Sequence, residues 1–243
     1  MKFSKQIGGD GRPLYKFPND RSYLIPGDIH FPLHSESLVA EFTMQSADVL
    51  FLQGDTGDQE AFSKFVKDPE KIAKDNSMNR ERDCWRKWLF KWLDKYDTVI
   101  IGPGNHETRA WRSTMHSPGF VGLGWWWPYG SLFEHPRIVI LDMDYRARIG
   151  NVHVEHGDRI KESEGKFPAL NVAEHYSDGN QIVFGHSHKR QVAGFTSYTG
   201  GQKKITTAYN VGTLVDIKQA KYVNQPNWQP GAAIVDNNEV TLL

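Results

Sequence analysis

The chain has 243 residues, 39% of them hydrophobic, with 29 Lys and Arg balancing 29 Asp and Glu, and one cysteine. That apolar content builds a core without covalent staples, and the charge balance excludes a protein that coats duplex nucleic acid by bulk phosphate neutralisation; the lone Cys84 excludes an intrachain disulfide and a Cys-rich zinc site. The polar start Met1–Lys5 has no apolar leader and no later run approaches about 18 apolar residues, which predicts one cytoplasmic domain over residues 1–243 with no secretion signal or membrane span.

In chain order, Ser22–Ile25, Val49–Leu52 and Thr98–Ile101 are short apolar runs that predict buried strands. Before the third, Arg80–Lys95 puts Cys84, Trp85, Trp88, Leu89, Trp92 and Leu93 on one stripe at three-to-four spacing, which predicts an amphipathic helix with its tryptophans in the core. Residues 117–135, with Gly119, Gly122, Gly124 and the run Trp125-Trp126-Trp127-Pro128, predict a long irregular insertion. Three consecutive tryptophans cannot share one face of a helix or strand, so at least one is exposed or lines a pocket. Val152–Val154 and Gln181–Phe184 add two strands, and after His188 the pattern alternates through Gln191–Ser197, Lys204–Val211, Ala232–Asp236 and Val240–Leu243. The predicted class is α/β, with a second sheet packed on the first and helices flanking both.

Polar fragments follow five of these strands: Asp28-Ile29-His30, Gly54-Asp55, Gly104-Asn105-His106-Glu107, His156-Gly157 and Gly185-His186-Ser187-His188. Each has an ordinary explanation alone, as a cap, a turn or a satisfied core histidine. Independent caps and turns have no reason to recur at successive strand ends, and the carboxyl ends of strands are where open α/β sheets build their sites. The mixture of carboxylate, imidazole and amide oxygen suits two divalent transition-metal ions, Mn first and then Fe, Zn, Ni or Co, and suits Ca or Mg less. Gly102-Pro103-Gly104 lacks the Gly-Lys-Ser/Thr of a phosphate-cradling loop, and no nucleophile elbow surrounds Ser187, which reads as a spacer.

The five fragments in this order resemble the calcineurin-like metallophosphoesterase superfamily over residues 22 to about 215, and Asp28-Ile29-His30-Phe31-Pro32 resembles its small phage and bacterial members. The resemblance implies that superfamily's sandwich of two mixed sheets. It also implies that Asp28, His30, Asp55 and His188 hold one metal, that Asp55, Asn105, His156 and His186 hold the other, and that Asp55 bridges them. His106 then resembles the family's non-ligand histidine, which protonates the leaving oxygen or stabilises the phosphoryl group, oriented by Glu107 or a nearby carboxylate. Two cations roughly 3.5–4 Å apart acidify a bridging water for in-line attack on phosphorus, so Asp55 and His106 are the expected catalytic residues.

One departure narrows the substrate. The phosphoprotein-phosphatase branch has Asp-Arg after its second motif, whereas Asp58 is followed by Gln59 here. Together with the Gly-His-x-His ending, this favours phosphodiesters of nucleotides or nucleic acid as the partner substrate, with no membrane involved and the host cytoplasm as location if the chain is phage-encoded. A phosphomonoesterase or nucleotidase is the alternative enzyme, and a nucleic-acid-binding module with a vestigial site is the non-enzymatic one. Arg109 and Arg159, with Arg112, Lys189 and Arg190, are expected to grip phosphate, and Trp125, Trp126 and Trp127 to stack on bases.

Overall fold

The computed structural model of the protein describes residues 1–63, 77–114, 124–220 and 227–243; positions 117–123 of the predicted insertion lie outside them. The first half of the chain forms β1 (Ser4–Ile7), β2 (Pro13–Phe17), β3 (Tyr23–Pro26), α1 (Glu36–Thr43), β4 (Val49–Leu52), α2 (Ser77–Lys95), β5 (Thr98–Ile101) and α3 (Arg109–Thr114). The second half forms β6 (Ile138–Ile140), β7 (Arg146–Ile149), β8 (Val152–Val154), α4 (Pro168–Tyr176), β9 (Gln181–Phe184), β10 (Arg190–Thr199), β11 (Gln202–Val211), β12 (Ala232–Asp236) and β13 (Glu239–Leu242).

These strands make a six-stranded sheet ordered β13-β12-β3-β4-β5-β6 and a seven-stranded sheet ordered β1-β2-β7-β8-β9-β11-β10. Both are mixed: β3, β4, β5 and β6 run parallel while β12 joins β3 antiparallel, and β8, β9 and β11 run parallel while β10 closes that edge antiparallel.

Strand period sorts the side chains into three cores. Along β4, Val49 and Phe51 point between the two sheets, where they meet Tyr23, Ile100, Val154 and Val183. Leu50 and Leu52 point the other way, into the layer that α1 and α2 cover with Val39, Trp85, Trp88, Leu89 and Trp92. In the second sheet Ile182 and Phe184 turn outward to Val172 and Ala173 of α4. The result is a helix–sheet–sheet–helix sandwich of two mixed sheets, the α/β class expected. The predicted helix at Arg80–Lys95 is present within α2, and its four-tryptophan neighbourhood is core: Trp85, Trp88, Trp92 and Trp125 are all at most 2% exposed. Among the described residues no helix is long and apolar enough to cross a membrane.

Candidate metal centre

Every predicted ligand lies just beyond the carboxyl end of a strand, and backbone pairing draws these loops together. The Ile29 and His30 N–H groups both donate to the Asp55 carbonyl (3.0 and 2.9 Å), Gly185 N–H donates to His156 C=O (3.0 Å), and Leu214 N–H donates to Asp28 C=O (2.7 Å). His30, Asp55, His186 and His188 adopt left-handed backbone, with φ between 47° and 67°. Non-glycine residues hold that conformation at a cost, and they do so mostly where a site requires it. Glycine is obligatory beside them. A Cβ on Gly54 would lie 2.5 Å from His156 Nδ1, and one on Gly104 would lie 2.2 Å from Asp55 Oδ1.

The predicted ligands converge in two groups that could each hold a cation, Asp28, His30 and His188 in one and Asp55, His156 and His186 in the other, with one donor atom of each residue within 4.8 Å of its partners. A third group, His30, Asp55 and His106, meets the same condition and overlaps both. In the first, His188 Nε2 lies 3.0 Å from His30 Nε2 and 3.2 Å from Asp28 Oδ2, and His30 Nε2 lies 3.7 Å from Asp55 Oδ2. In the second, His156 Nε2 lies 3.2 Å from both Asp55 Oδ2 and Asn105 Oδ1. All seven predicted ligands therefore meet in one buried cluster, with Asp55 facing both groups.

The surroundings decide which nitrogen offers its lone pair. His30 Nδ1 lies 2.9 Å from Asp58 Oδ1, an acceptor, so Nδ1 carries the proton and Nε2 faces the cluster with its lone pair. Burial lowers the His30 pKa and keeps the ring neutral. Gln53, which sequence reasoning passed over, donates from Nε2 to Asp28 Oδ1 (2.6 Å) and accepts from His156 Nδ1 at Oε1 (3.2 Å), orienting one residue of each group. Burial alone would raise the carboxyls of Asp28 and Asp55, but the histidines around them pull both below the usual range. Burial would likewise lower His156, yet Asp55 and Asp28 push it up to about 10. The two shifts are one attraction: the Asp55 carboxylate favours a proton on His156, and a cation binding there must displace it.

His106 stands beside this cluster, its Nε2 3.9 Å from Asp55 Oδ2. Its Nδ1 donates to Asp58 Oδ1 at 2.8 Å, so Asp58 is the carboxylate that orients it. Glu107 does not: fully buried, it accepts the backbone N–H groups of Asp55, Gly57 and Gly104 at 2.7–2.9 Å and fixes the loops instead. Burial opposes a proton on His106, but Asp55 and Asp58 outweigh it and raise the pKa. Arg109 Nη2 lies 2.7 Å from His106 Nε2 and its Nη1 donates to Asp58 C=O, so the guanidinium caps the nitrogen that faces the cluster.

The other expected substrate contacts are placed differently. Arg159 is paired with Asp144 at the surface, Lys189 donates to Gly165 C=O, and Arg190 Nε donates to Leu243 C=O. Of the three consecutive tryptophans, Trp125 is core, its indole N–H bonded to Leu141 C=O. Trp126 is 37% exposed, and half-buried Trp127 packs on Phe62. Gln59 turns inward, accepting from Ala110 N–H and donating to Tyr129 Oη. The aromatic ring at the cluster is Trp228, whose centroid is 4.3 Å from that of His188.

No family model matches the chain. It is similar to the Gene 54 protein of Mycobacterium phage D29, at 26% identity over 156 residues, and that match spans 60% of this chain and 60% of the phage protein. It is also similar to the Gene 54 protein of Mycobacterium phage L5, at 24% identity over 191 residues, covering 75% of this chain and 74% of that one. Among solved structures, a conserved uncharacterized protein from Streptococcus pneumoniae TIGR4, described as a predicted phosphoesterase, matches 67% of this chain and 82% of its own at 14% identity and a TM-score of 0.28.

Proposed function

We propose that the protein is a dinuclear-metal-dependent phosphoester hydrolase of the calcineurin-like metallophosphoesterase type, acting on phosphodiesters of nucleotides or nucleic acid in the host-cell cytoplasm. The observation that carries this reading is the meeting of two Asp/His groups at Asp55, which belongs to one of them and whose Oδ2 lies 3.7 Å from His30 Nε2 of the other. Asp28, His30, Asp55 and His188 would hold one cation and Asp55, Asn105, His156 and His186 the other, with Mn favoured and Fe, Zn, Ni or Co compatible with the same donors. A bound pair of cations supplies neutralisation of phosphoryl charge and acidification of water.

The chain's own residues do the rest. His106 Nε2 protonates the departing oxygen, and Asp58 on Nδ1 holds the ring at that angle and favours its charged form. Before it can donate, Arg109 must leave His106 Nε2 so that the freed lone pair takes up a proton from solvent, and a phosphoryl oxygen is the natural new acceptor for the guanidinium. The inward turn of Gln59 supports a diester over a dianionic monoester, since no arginine stands there to balance the second charge.

The test is turnover of an aryl phosphodiester and the matching monoester with Mn²⁺, for the wild type, Asp55→Asn and His106→Ala. Diester turnover lost in both variants supports the reading. Faster monoester turnover favours a phosphomonoesterase, and no turnover of either ester across several metals leaves the binding-module alternative in its place.

A further inference from the structure

The segment 227–231 runs beside His188 and is fixed there by its backbone and one side chain. Gln229 N–H donates to His188 C=O (3.1 Å), Thr213 N–H donates to Gln229 C=O (3.0 Å), and Arg190 N–H donates to Gln229 Oε1 (3.1 Å). These bonds tie the segment to His188 itself and to Arg190 two residues further on, and Trp228 stands with its ring at 75° to the imidazole. Among the described residues His188 is the one ring that touches Trp228, which is half-buried, and its indole N–H has no hydrogen-bond partner among them. Of the cations that the sequence offered for substrate contact, Arg159 is committed to Asp144, Lys189 to Gly165 and Arg190 to Leu243, while Arg109 caps His106 and Arg112 lines a cavity with Gly104 and His156. Beside His188 the side chain with surface left to give is the half-buried Trp228.

We propose that Trp228 is a stacking platform for the base of a nucleotide whose phosphate is held at the Asp/His cluster, so that the substrate carries a nucleobase one sugar away from the scissile phosphorus. This rests on the phosphoesterase reading above and adds the group that the enzyme recognises. An indole face binds any base, because every base has a π-face, and it ignores a bare sugar phosphate. Selectivity therefore falls between base-bearing and base-free esters, with little choice among the bases.

Calorimetry on the full chain loaded with Mn²⁺ tests this with AMP, ribose 5-phosphate and inorganic phosphate, for the wild type, Trp228→Ala and Trp228→Phe. The wild type is expected to bind AMP on the order of 10- to 100-fold more tightly than ribose 5-phosphate. Trp228→Ala should erase that preference while leaving ribose 5-phosphate affinity nearly unchanged, and Trp228→Phe should keep most of it. Equal wild-type affinities for AMP and ribose 5-phosphate overturn the proposal and leave the phosphoesterase reading standing. Equal weakening of both ligands in Trp228→Ala also overturns it, since Trp228 would then only position His188. If none of the three phosphates binds, this proposal is overturned, while the phosphoesterase reading is decided separately by turnover of the aryl diester. Should Trp228→Ala not fold, the wild-type comparison and Trp228→Phe still decide.

Discussion

Replacing Gly104 by alanine adds one methyl group at the tightest point of the cluster. Its carbon would lie 2.2 Å from Asp55 Oδ1, 2.6 Å from Asp55 N and 2.8 Å from His156 Nε2, so backbone as well as side chain must yield by roughly 1 Å to reach normal contact near 3.5 Å. The backbone is not free to do so, because Asp55 N–H and Gly104 N–H are both tied to Glu107 Oε2 at 2.9 Å. Overpacking of this kind costs about 1–3 kcal/mol. Loss of one bond to the buried carboxylate costs roughly 1.5–3 kcal/mol more. A displacement near 1 Å at the reacting centre costs about 100-fold in rate. Gly104→Ala should therefore lose about 2.5–6 kcal/mol in urea unfolding. It should also lose at least about 100-fold in kcat/KM on the aryl diester, with weaker Mn²⁺ binding by calorimetry. A variant with wild-type unfolding and wild-type Mn²⁺ affinity would refute the claim that the Gly104 backbone sets the position of Asp55.

Asp58→Asn keeps the shape of the residue that both His30 and His106 lean on, but removes its charge; metal affinity or kcat/KM should fall about 10- to 100-fold, and a change too small to measure in both would deny Asp58 its orienting role. Gln53→Leu leaves Asp28 Oδ1 and His156 Nδ1–H without their partner, so Mn²⁺ affinity should drop by about 10- to 100-fold, read by calorimetry; unchanged affinity would show that the amide orients neither residue. Glu81 is buried, and burial raises its pKa from 4.5 to about 8 in spite of bonds from Tyr129 and Gln59 N–H. A carboxyl that stays protonated in the fold while the unfolded chain ionises gives stability that is fully present below pH 4.5 and is lost as pH rises to about 8, on the order of 5 kcal/mol at most. Urea midpoints from pH 5 to 8 should fall less steeply in Glu81→Gln than in the wild type, with Glu107, also raised by burial, contributing the remaining slope; parallel curves would contradict this.

How much was legible in the sequence depended on whether burial or pairing makes the element. β4 is apolar throughout, β5 is apolar after Thr98, and both are buried at every position, so their runs announced them. β1 is exposed at every residue and owes its strand state to the register Ser4↔Lys16 through Ile7↔Pro13, which no periodicity reveals. In β7 the alternation is hidden by Arg146 and Arg148, which are partly buried where hydrophobic residues would be easier to read. The ligand fragments were legible because each sits within a few residues of a strand end. Gln53, Asp58 and Trp228 were not, for different reasons: a glutamine closing a strand looks like an ordinary polar boundary, Asp58 looks like a turn residue, and Trp228 reaches His188 from 40 positions further along. Of the carboxylates expected to orient His106, Glu107 or one nearby, the structure selects Asp58, 48 positions earlier, because the Glu107 side chain points inward to three backbone N–H groups.

The alternation along β4 has a meaning for tolerance to change. Val49 and Phe51 belong to one core and Leu50 and Leu52 to another, so the strand is gripped from both sides. The next residues are Gln53, Gly54 and Asp55, and the chain leaves that grip directly into the polar cluster. Whatever loosens either hydrophobic layer is transmitted to Asp55 without a hinge to absorb it. Such a layout trades adaptability for registration: the loops that carry Asn105, His156 and His188 can vary in length beyond their anchor points, while the segment from Val49 to Asp55 has no solvent-facing position at which to drift.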